Sequence, residues 1–173
     1  MLEIEVKAAL KDRREVETRL RSLGAKAEKE RRQVDLYFAH PCQDFGATDE
    51  ALRLRLDGDR QVMTYKGPKL DARSKTREEI EQPIEFDRMV TTLRRLGFKD
   101  FLRVEKVRTD YVWEDIVISL DRVDGLGDFV ELEVEDDDRE RGLRRILDLK
   151  SKLGVQGNET RSYLELIMEK EGK

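Results

Sequence analysis

Glu3, Glu5 and Lys7 alternate with Leu2, Ile4 and Val6 at the start of the chain. Successive side chains of a β-strand point to opposite faces, so this spacing puts two carboxylates and an ammonium on one face and an apolar stripe on the other. Such a face can hold a cation through its acids and an anion through its base. The construction recurs almost to the end of the sequence. Arg53 and Arg55 stand against Leu52, Leu54 and Leu56, and Lys66 follows; Arg77, Glu79 and Glu81 share one parity, as do Lys106 and Arg108. Asp121 closes a strand-like run, and Glu131 and Glu133 alternate with Val130, Leu132 and Val134.

Two readings of this pattern compete. The plain one is a half-exposed antiparallel sheet with a polar face in water and helices on the other. The sorting of charge by sign points elsewhere: Glu3 with Glu5 recurs in kind as Glu131 with Glu133, and Arg53 with Arg55 as Lys106 with Arg108. Cross-strand stability alone would favour alternating signs. The second reading closes about eight strands into a barrel around a small ligand, which also removes free edges. The inward bases would be Lys7, Arg53, Arg55, Lys66, Arg77, Lys106 and Arg108, balanced by Glu3, Glu5, Glu79, Glu81, Asp121, Glu131 and Glu133. Unpaired buried ions cost on the order of several kcal/mol each, so the interior must be wet and filled by ligand.

Arginine and lysine donate to phosphate oxygens, arginine through a bidentate fork. Paired carboxylates recruit magnesium or manganese, which bridges the same oxygens. A polyphosphate with a divalent metal uses both sets at once. A nucleic-acid backbone would call for the bases without the acids, and a structural calcium site for the acids without the bases. No Gly-rich phosphate loop of the P-loop kind is present.

The elements that must position these residues follow from local pattern. Asp12 with Glu15, then Val16, Leu20 and Leu23 up to Gly24, predict a capped helix. Glu28–Phe38 is extended; Ala51–Leu56 and Gln61–Lys66 flank the hairpin signal Asp57-Gly58-Asp59. Lys75–Ile84 forms a strand, Phe86–Leu96 a helix, and Phe101–Trp113, Ile116–Val123 and Phe129–Val134 antiparallel neighbours on short connections. Arg139–Leu153 and Thr160–Lys170 have helical spacing. The expected fold is α+β, one domain over residues 1–173, with an antiparallel eight-stranded barrel, closed or nearly closed, and helices on its outside.

Composition narrows the partners. Charged residues make up 43% and hydrophobic ones 38%, yet the net charge is only -4, which argues against a nucleic-acid surface and against a disordered polyelectrolyte. Abundant charge of both signs also fits a thermophile's surface. One cysteine, Cys42, and one histidine, His40, leave no disulfide and no Cys/His zinc cluster, so a metal would be held by carboxylates. No apolar run approaches the ~18 residues of a membrane span, and charges begin at Glu3, unlike a signal peptide. A soluble, cytoplasmic protein without membrane or nucleic-acid partners is expected.

With these residues in view, Glu3-Ile4-Glu5-Val6-Lys7 resembles the ExExK signature of the CYTH, or triphosphate tunnel metalloenzyme, superfamily. The similarity continues through Ala51-Leu52-Arg53-Leu54-Arg55, Thr64-Tyr65-Lys66-Gly67-Pro68, Lys106 and Arg108, Leu120-Asp121, and Leu126-Gly127 leading into Glu131 and Glu133. The closing Thr160-Arg161-Ser162-Tyr163 run resembles the class IV adenylate cyclase branch. The resemblance implies an eight-stranded tunnel, a triphosphate substrate and Mg2+ or Mn2+. On that basis Glu3, Glu5, Asp121, Glu131 and Glu133 are the expected metal ligands, with Glu79 and Glu81 either assisting or neutralising Arg77. Lys7, Arg53, Arg55, Lys66, Arg77, Lys106 and Arg108 are the expected triphosphate donors, and Lys7, Lys66 and Arg108 the catalytic ones.

The activity expected first is cyclisation of ATP to cyclic AMP and pyrophosphate. Hydrolysis of inorganic, thiamine or nucleoside triphosphate is the alternative, and a polyphosphate-binding module without turnover or an ionic barrel kept for thermal stability are the others. Tyr37 and Tyr163 either orient substrate or pack as aromatics with bonded hydroxyls. Trp113 is core or rim. Arg73 and Lys75, beside Asp71, are either a cover for the tunnel mouth or a solvated loop. A homodimer through a sheet face or the C-terminal helices is compatible with the pattern.

Overall fold

The alternation of apolar and charged residues builds antiparallel ladders in each of two units, Met1–Arg31 with Lys106–Lys173, and Arg32–Glu105. The computed structural model describes residues 2–69 and 77–172, the side chains of Leu2 and Lys69 excepted. The position of Lys75 in the expected sixth strand, and the expected cover of Asp71, Arg73 and Lys75, lie outside the described residues.

The first unit contains β1 (Leu2–Ala9), α1 (Arg13–Ser22), β2 (Lys26–Ala27), β8 (Ile116–Val123), β9 (Gly127–Asp136), α3 (Arg139–Lys152) and α4 (Tyr163–Glu171), with the latter half of β7 (Lys99–Trp113). β7 pairs with β8, β8 with β9 and β9 with β1, all antiparallel. Ile4, Val6 and Ala8 of β1 and Val130, Leu132 and Val134 of β9 face one core with Ile146 and Leu149 of α3 and Val16 and Leu20 of α1. The expected apolar parity is therefore the buried one. Gly142 lets α3 approach β1 closely, because a Cβ there would collide with Ile4 Cδ1. The hydroxyl of Ser162 accepts from Glu165 N in a capping box, which starts α4 at Tyr163 and leaves Thr160 and Arg161 outside the helix.

The second unit contains most of β3 (Arg31–Ala39), β4 (Ala51–Asp57), β5 (Arg60–Lys69), β6 (Arg77–Pro83), α2 (Phe86–Arg95) and the first half of β7. β3, β4, β5 and β6 pair antiparallel in that order. Asp57 pairs with Arg60, so β4 turns into β5 through two residues, with Gly58 at φ 57° as a tight hairpin requires. Phe38, Leu52 and Leu54 pack against Val90 and Leu93 of α2.

The α+β class, the antiparallel pairing and the helices against the apolar strand faces agree with expectation. Closure by hydrogen bonds does not. Among the described residues β1 has a ladder only to β9, and β6 only to β5. The two end strands protect their edges by other means. Glu159 N donates to Lys7 O at 2.7 Å along β1, and β6 carries exposed Glu78, Glu79 and Glu81, charges that oppose pairing with another chain. No described helix is long and apolar enough to cross a membrane.

Candidate active site

In the β1–β9 ladder Glu5 stands opposite Glu133, Glu3 opposite Glu135 and Lys7 opposite Glu131. Like charges directly opposed destabilise a sheet, so this register gathers carboxylates against the preference of the strands themselves. The electrostatics register the crowding. Burial pushes the Glu133 carboxyl up to about 7, with the charges of Glu3, Glu5 and Glu131 adding to the shift. Among the described residues no three acids stand close enough to enclose a cation by themselves. Magnesium and manganese take one or two carboxylates and complete their shell with water and phosphate oxygens. A divalent ion among Glu3, Glu5, Glu131 and Glu133 would relieve the charge that raises Glu133. In donor type, though not as an enclosed cluster, these carboxylates suit a hard divalent cation.

Two bases of the first unit, Lys106 and Arg108, converge on one carboxylate. Asp121, fully buried, accepts from Arg108 Nε at 2.7 Å on Oδ1. Its Oδ2 accepts from Arg108 Nη2 at 2.6 Å, Lys106 Nζ at 2.8 Å and the Tyr163 hydroxyl at 2.9 Å. Arg108 also donates to Glu131. Burial works against its positive charge, but hydrogen bonds to Asp121 and the charges of Glu131 and Asp121 outweigh it and hold the guanidinium protonated. Lys7 is buried, with Nζ donating to the Arg161 carbonyl and lying 4.3 Å from the Tyr163 ring centroid. The structure thus places Asp121 with the bases and not beside Glu3 and Glu5.

The second unit arranges its bases around Asp35. Arg55 grips Asp35 bidentately, Nε to Oδ1 at 2.6 Å and Nη2 to Oδ2 at 2.7 Å. Arg53 lies 3.9 Å from the same carboxylate, donates to Thr64 Oγ1 at 3.1 Å and stands 3.7 Å from Glu81. Among the described residues its buried Nε has no hydrogen-bond partner, although it lies on a strand face of charged groups. Lys66 donates to Glu79 at 2.6 Å; burial and then Arg53 lower its pKa, and Glu79 opposes them. Arg77 donates to the Gly67 carbonyl at 3.4 Å. Glu79 and Glu81 accordingly sit as partners of Lys66 and of Arg53 and Arg60. Tyr37 is buried, and that burial followed by Asp35 raises its phenol.

Three groups of the charged faces were not singled out from sequence. Asp35 interrupts the apolar run Val34-Asp35-Leu36-Tyr37-Phe38, and an acid alternating with Tyr37 inside such a run was the available signal. Thr64, quoted above only within the Thr64-Tyr65-Lys66-Gly67-Pro68 run, shares the face of Lys66 and accepts from Arg53 Nη2 at 3.1 Å. Asp110 continues the parity of Lys106 and Arg108 and accepts from Ser119 Oγ and Arg31 Nη2, both at 2.6 Å. Trp113 packs at the edge of the first core, its ring 5.3 Å from Lys152 Nζ.

A model of the CYTH domain matches residues 1–163. A Methanocaldococcus jannaschii protein with a provisional adenylate cyclase name is 41% identical over 172 residues, 96% of this chain and 98% of that one. The chain is also similar to adenylate cyclase CyaB of Aeromonas hydrophila, 30% identical over 141 residues that cover 78% of this chain and 71% of the relative. The solved PH1819 protein of Pyrococcus horikoshii OT3 superposes with a TM-score of 0.82 at 39% identity, covering 98% of this chain and 99% of its own.

Proposed function

The chain belongs to the CYTH domain family, and from that premise we propose that it is a divalent-metal-dependent enzyme that converts ATP to cyclic AMP and pyrophosphate. The observation that carries this reading is the pairing of two unlike charge sets on one unit: the bases Lys7, Lys106 and Arg108 beside the acids Glu3, Glu5, Glu131 and Glu133. A phosphate chain needs the first set and its metal the second. The adenylate cyclase names of the relatives support the choice of ATP.

In this reading Glu3, Glu5, Glu131 and Glu133 would hold Mg2+ or Mn2+, which when bound would supply charge neutralisation to the phosphate. Lys7, Lys106 and Arg108 bind the triphosphate and stabilise charge that develops on it. By the family resemblance alone, Arg53, Arg55, Lys66 and Arg77 are further triphosphate donors, and Lys7, Lys66 and Arg108 the catalytic residues. Asp121 holds Lys106 and Arg108 in place, its oxygens already occupied by them. The ribose 3'-hydroxyl oxygen attacks the α-phosphorus as its proton passes to solvent, and the bond from that phosphorus to the bridging oxygen breaks to release pyrophosphate. A single domain, a cytoplasmic location and a homodimer complete the reading; light scattering on the purified protein tests the last.

The deciding experiment incubates the protein with ATP, tripolyphosphate and thiamine triphosphate, each with magnesium or manganese, and identifies the products. Cyclic AMP with equimolar pyrophosphate is expected. Orthophosphate release without cyclic AMP would establish a triphosphatase instead, and binding without turnover a polyphosphate-binding module.

A further inference from the structure

Tyr163 opens α4, yet its ring is buried on the charged face of the first unit. Lys7 Nζ lies 4.3 Å and Lys106 Nζ 4.8 Å from its centroid, so one aromatic ring serves two ammonium groups. Both lysines are almost fully buried, 2% and 4% exposed, where water contributes little to holding their charge. Phe129 meets the ring edge-on, at 5.2 Å between centroids and 71° between planes, and so fixes its orientation. The hydroxyl donates to Asp121 Oδ2, the atom that also receives Lys106 and Arg108. Burial first, and then the charges of Glu131 and Asp121, keep that hydroxyl protonated and donating.

We propose that Tyr163 is a positioning residue whose ring sets the places of the Lys7 and Lys106 ammonium groups, and whose hydroxyl ties that arrangement to Asp121 and Arg108. This deepens the reading above, on which Lys7 and Lys106 are triphosphate donors. Lysine is a point charge on a four-carbon stem and has no preferred direction of its own. Two ammonium groups on one ring repel each other; the ring face attracts both, and Asp121 adds a carboxylate for Lys106. The segment that brings the ring is itself anchored on β1, through Glu159 N to Lys7 O and Lys7 Nζ to the Arg161 carbonyl. The lysines are thereby held before any substrate arrives, which is the condition for binding energy to be used at the reacting atoms.

The test combines a spectroscopic signature with binding of tripolyphosphate in the presence of magnesium. In the wild type the ε-methylene protons of Lys7 and Lys106 should be shifted upfield by the ring current, and Tyr163→Phe should keep that shift. Tyr163→Leu should lose it and weaken tripolyphosphate binding by about tenfold, the scale of a desolvated cation–π contact, whereas Tyr163→Phe stays within about threefold of wild type. Unshifted lysine resonances in the wild type would overturn the proposal without recourse to any variant. Equal binding by Tyr163→Leu and wild type, or equal loss in the Leu and Phe variants, would overturn it as well. Shifted lysines in a wild type that binds no tripolyphosphate would instead sink the functional reading while leaving the ring's hold on the lysines established.

Discussion

Glu5 and Glu133 are directly opposed across the β1–β9 ladder, two carboxylates where a sheet built for stability alone would put opposite charges. Replacing one of them should therefore separate stability from function. Glu5→Gln should raise the melting temperature of the metal-free protein, by the equivalent of about 0.2–1 kcal/mol. The same change should lower magnesium-dependent turnover by more than about 100-fold, since altering a residue that only supports a metal's ligands already costs about 10–100-fold. Thermal melts with and without magnesium, run beside the product assay, check both halves. Wild-type turnover in Glu5→Gln would contradict the role given to the acids.

Arg55 and Asp35 form the matching relationship in the second unit. Asp35 is 4% exposed and held by both nitrogens of the Arg55 fork. Arg55→Ala should abolish activity and also cost about 3 kcal/mol, because a buried carboxylate loses its strongest partner. Arg55→Lys keeps the charge and loses the fork, so it should recover part of the stability and little of the substrate affinity. Urea denaturation and KM for ATP report on the two separately; an Arg55→Lys enzyme with unchanged KM would show that the fork is structural only.

Gly142 is the point of closest approach between α3 and β1. Gly142→Ala should destabilise the first unit by about 1–3 kcal/mol, since the added methyl must displace Ile4 in a packed core. The paired change Gly142→Ala with Ile4→Val should recover part of that loss. Chemical denaturation of the single and double variants measures it, and a neutral Gly142→Ala would mean that the helix can shift outward at no cost.

Acid stability should depend on Asp136. A hydrogen bond from Arg141, the backbone N–H of Asp138 and the charges of Arg141 and Arg145 hold its carboxyl at about 2, below the usual 3.8. A carboxyl lowered on folding stabilises the native state above its unfolded value, and that contribution disappears as pH falls from about 4 through 2. Arg141→Gln should bring the loss to higher pH within this window. Acid unfolding of the two proteins followed by circular dichroism decides it; superimposable curves would remove Asp136 as a contributor.

The alternation of charge and apolarity was legible because a strand has a period of two wherever it lies in a fold. Lys7, Arg108, Glu131 and Glu133 could be named from their parity, and Ile4, Val6, Leu132 and Val134 could be assigned to the core. Asp35 was hidden inside Val34-Asp35-Leu36-Tyr37-Phe38, which reads as a buried strand with one polar interruption. Its importance comes from Arg55, 20 positions away, standing beside it in a ladder whose register no local pattern states. The closed barrel was inferred from strand number, whereas edges can also be protected by a backbone bond such as Glu159 to Lys7 and by exposed charge on β6.

By itself the sequence determined which residues are ionic, which face of each strand they share, and the unlike charge sets that a triphosphate and its metal require. Those properties follow from side-chain chemistry and the pleat of a single strand. Tertiary structure alone decided the company each charge keeps: Glu5 against Glu133, Asp121 among Lys106, Arg108 and Tyr163, and one ring under two lysines. Register and packing are set by contacts between distant segments, so a group as legible as Tyr163 acquires its role only when α4 brings it to a carboxylate 42 residues away.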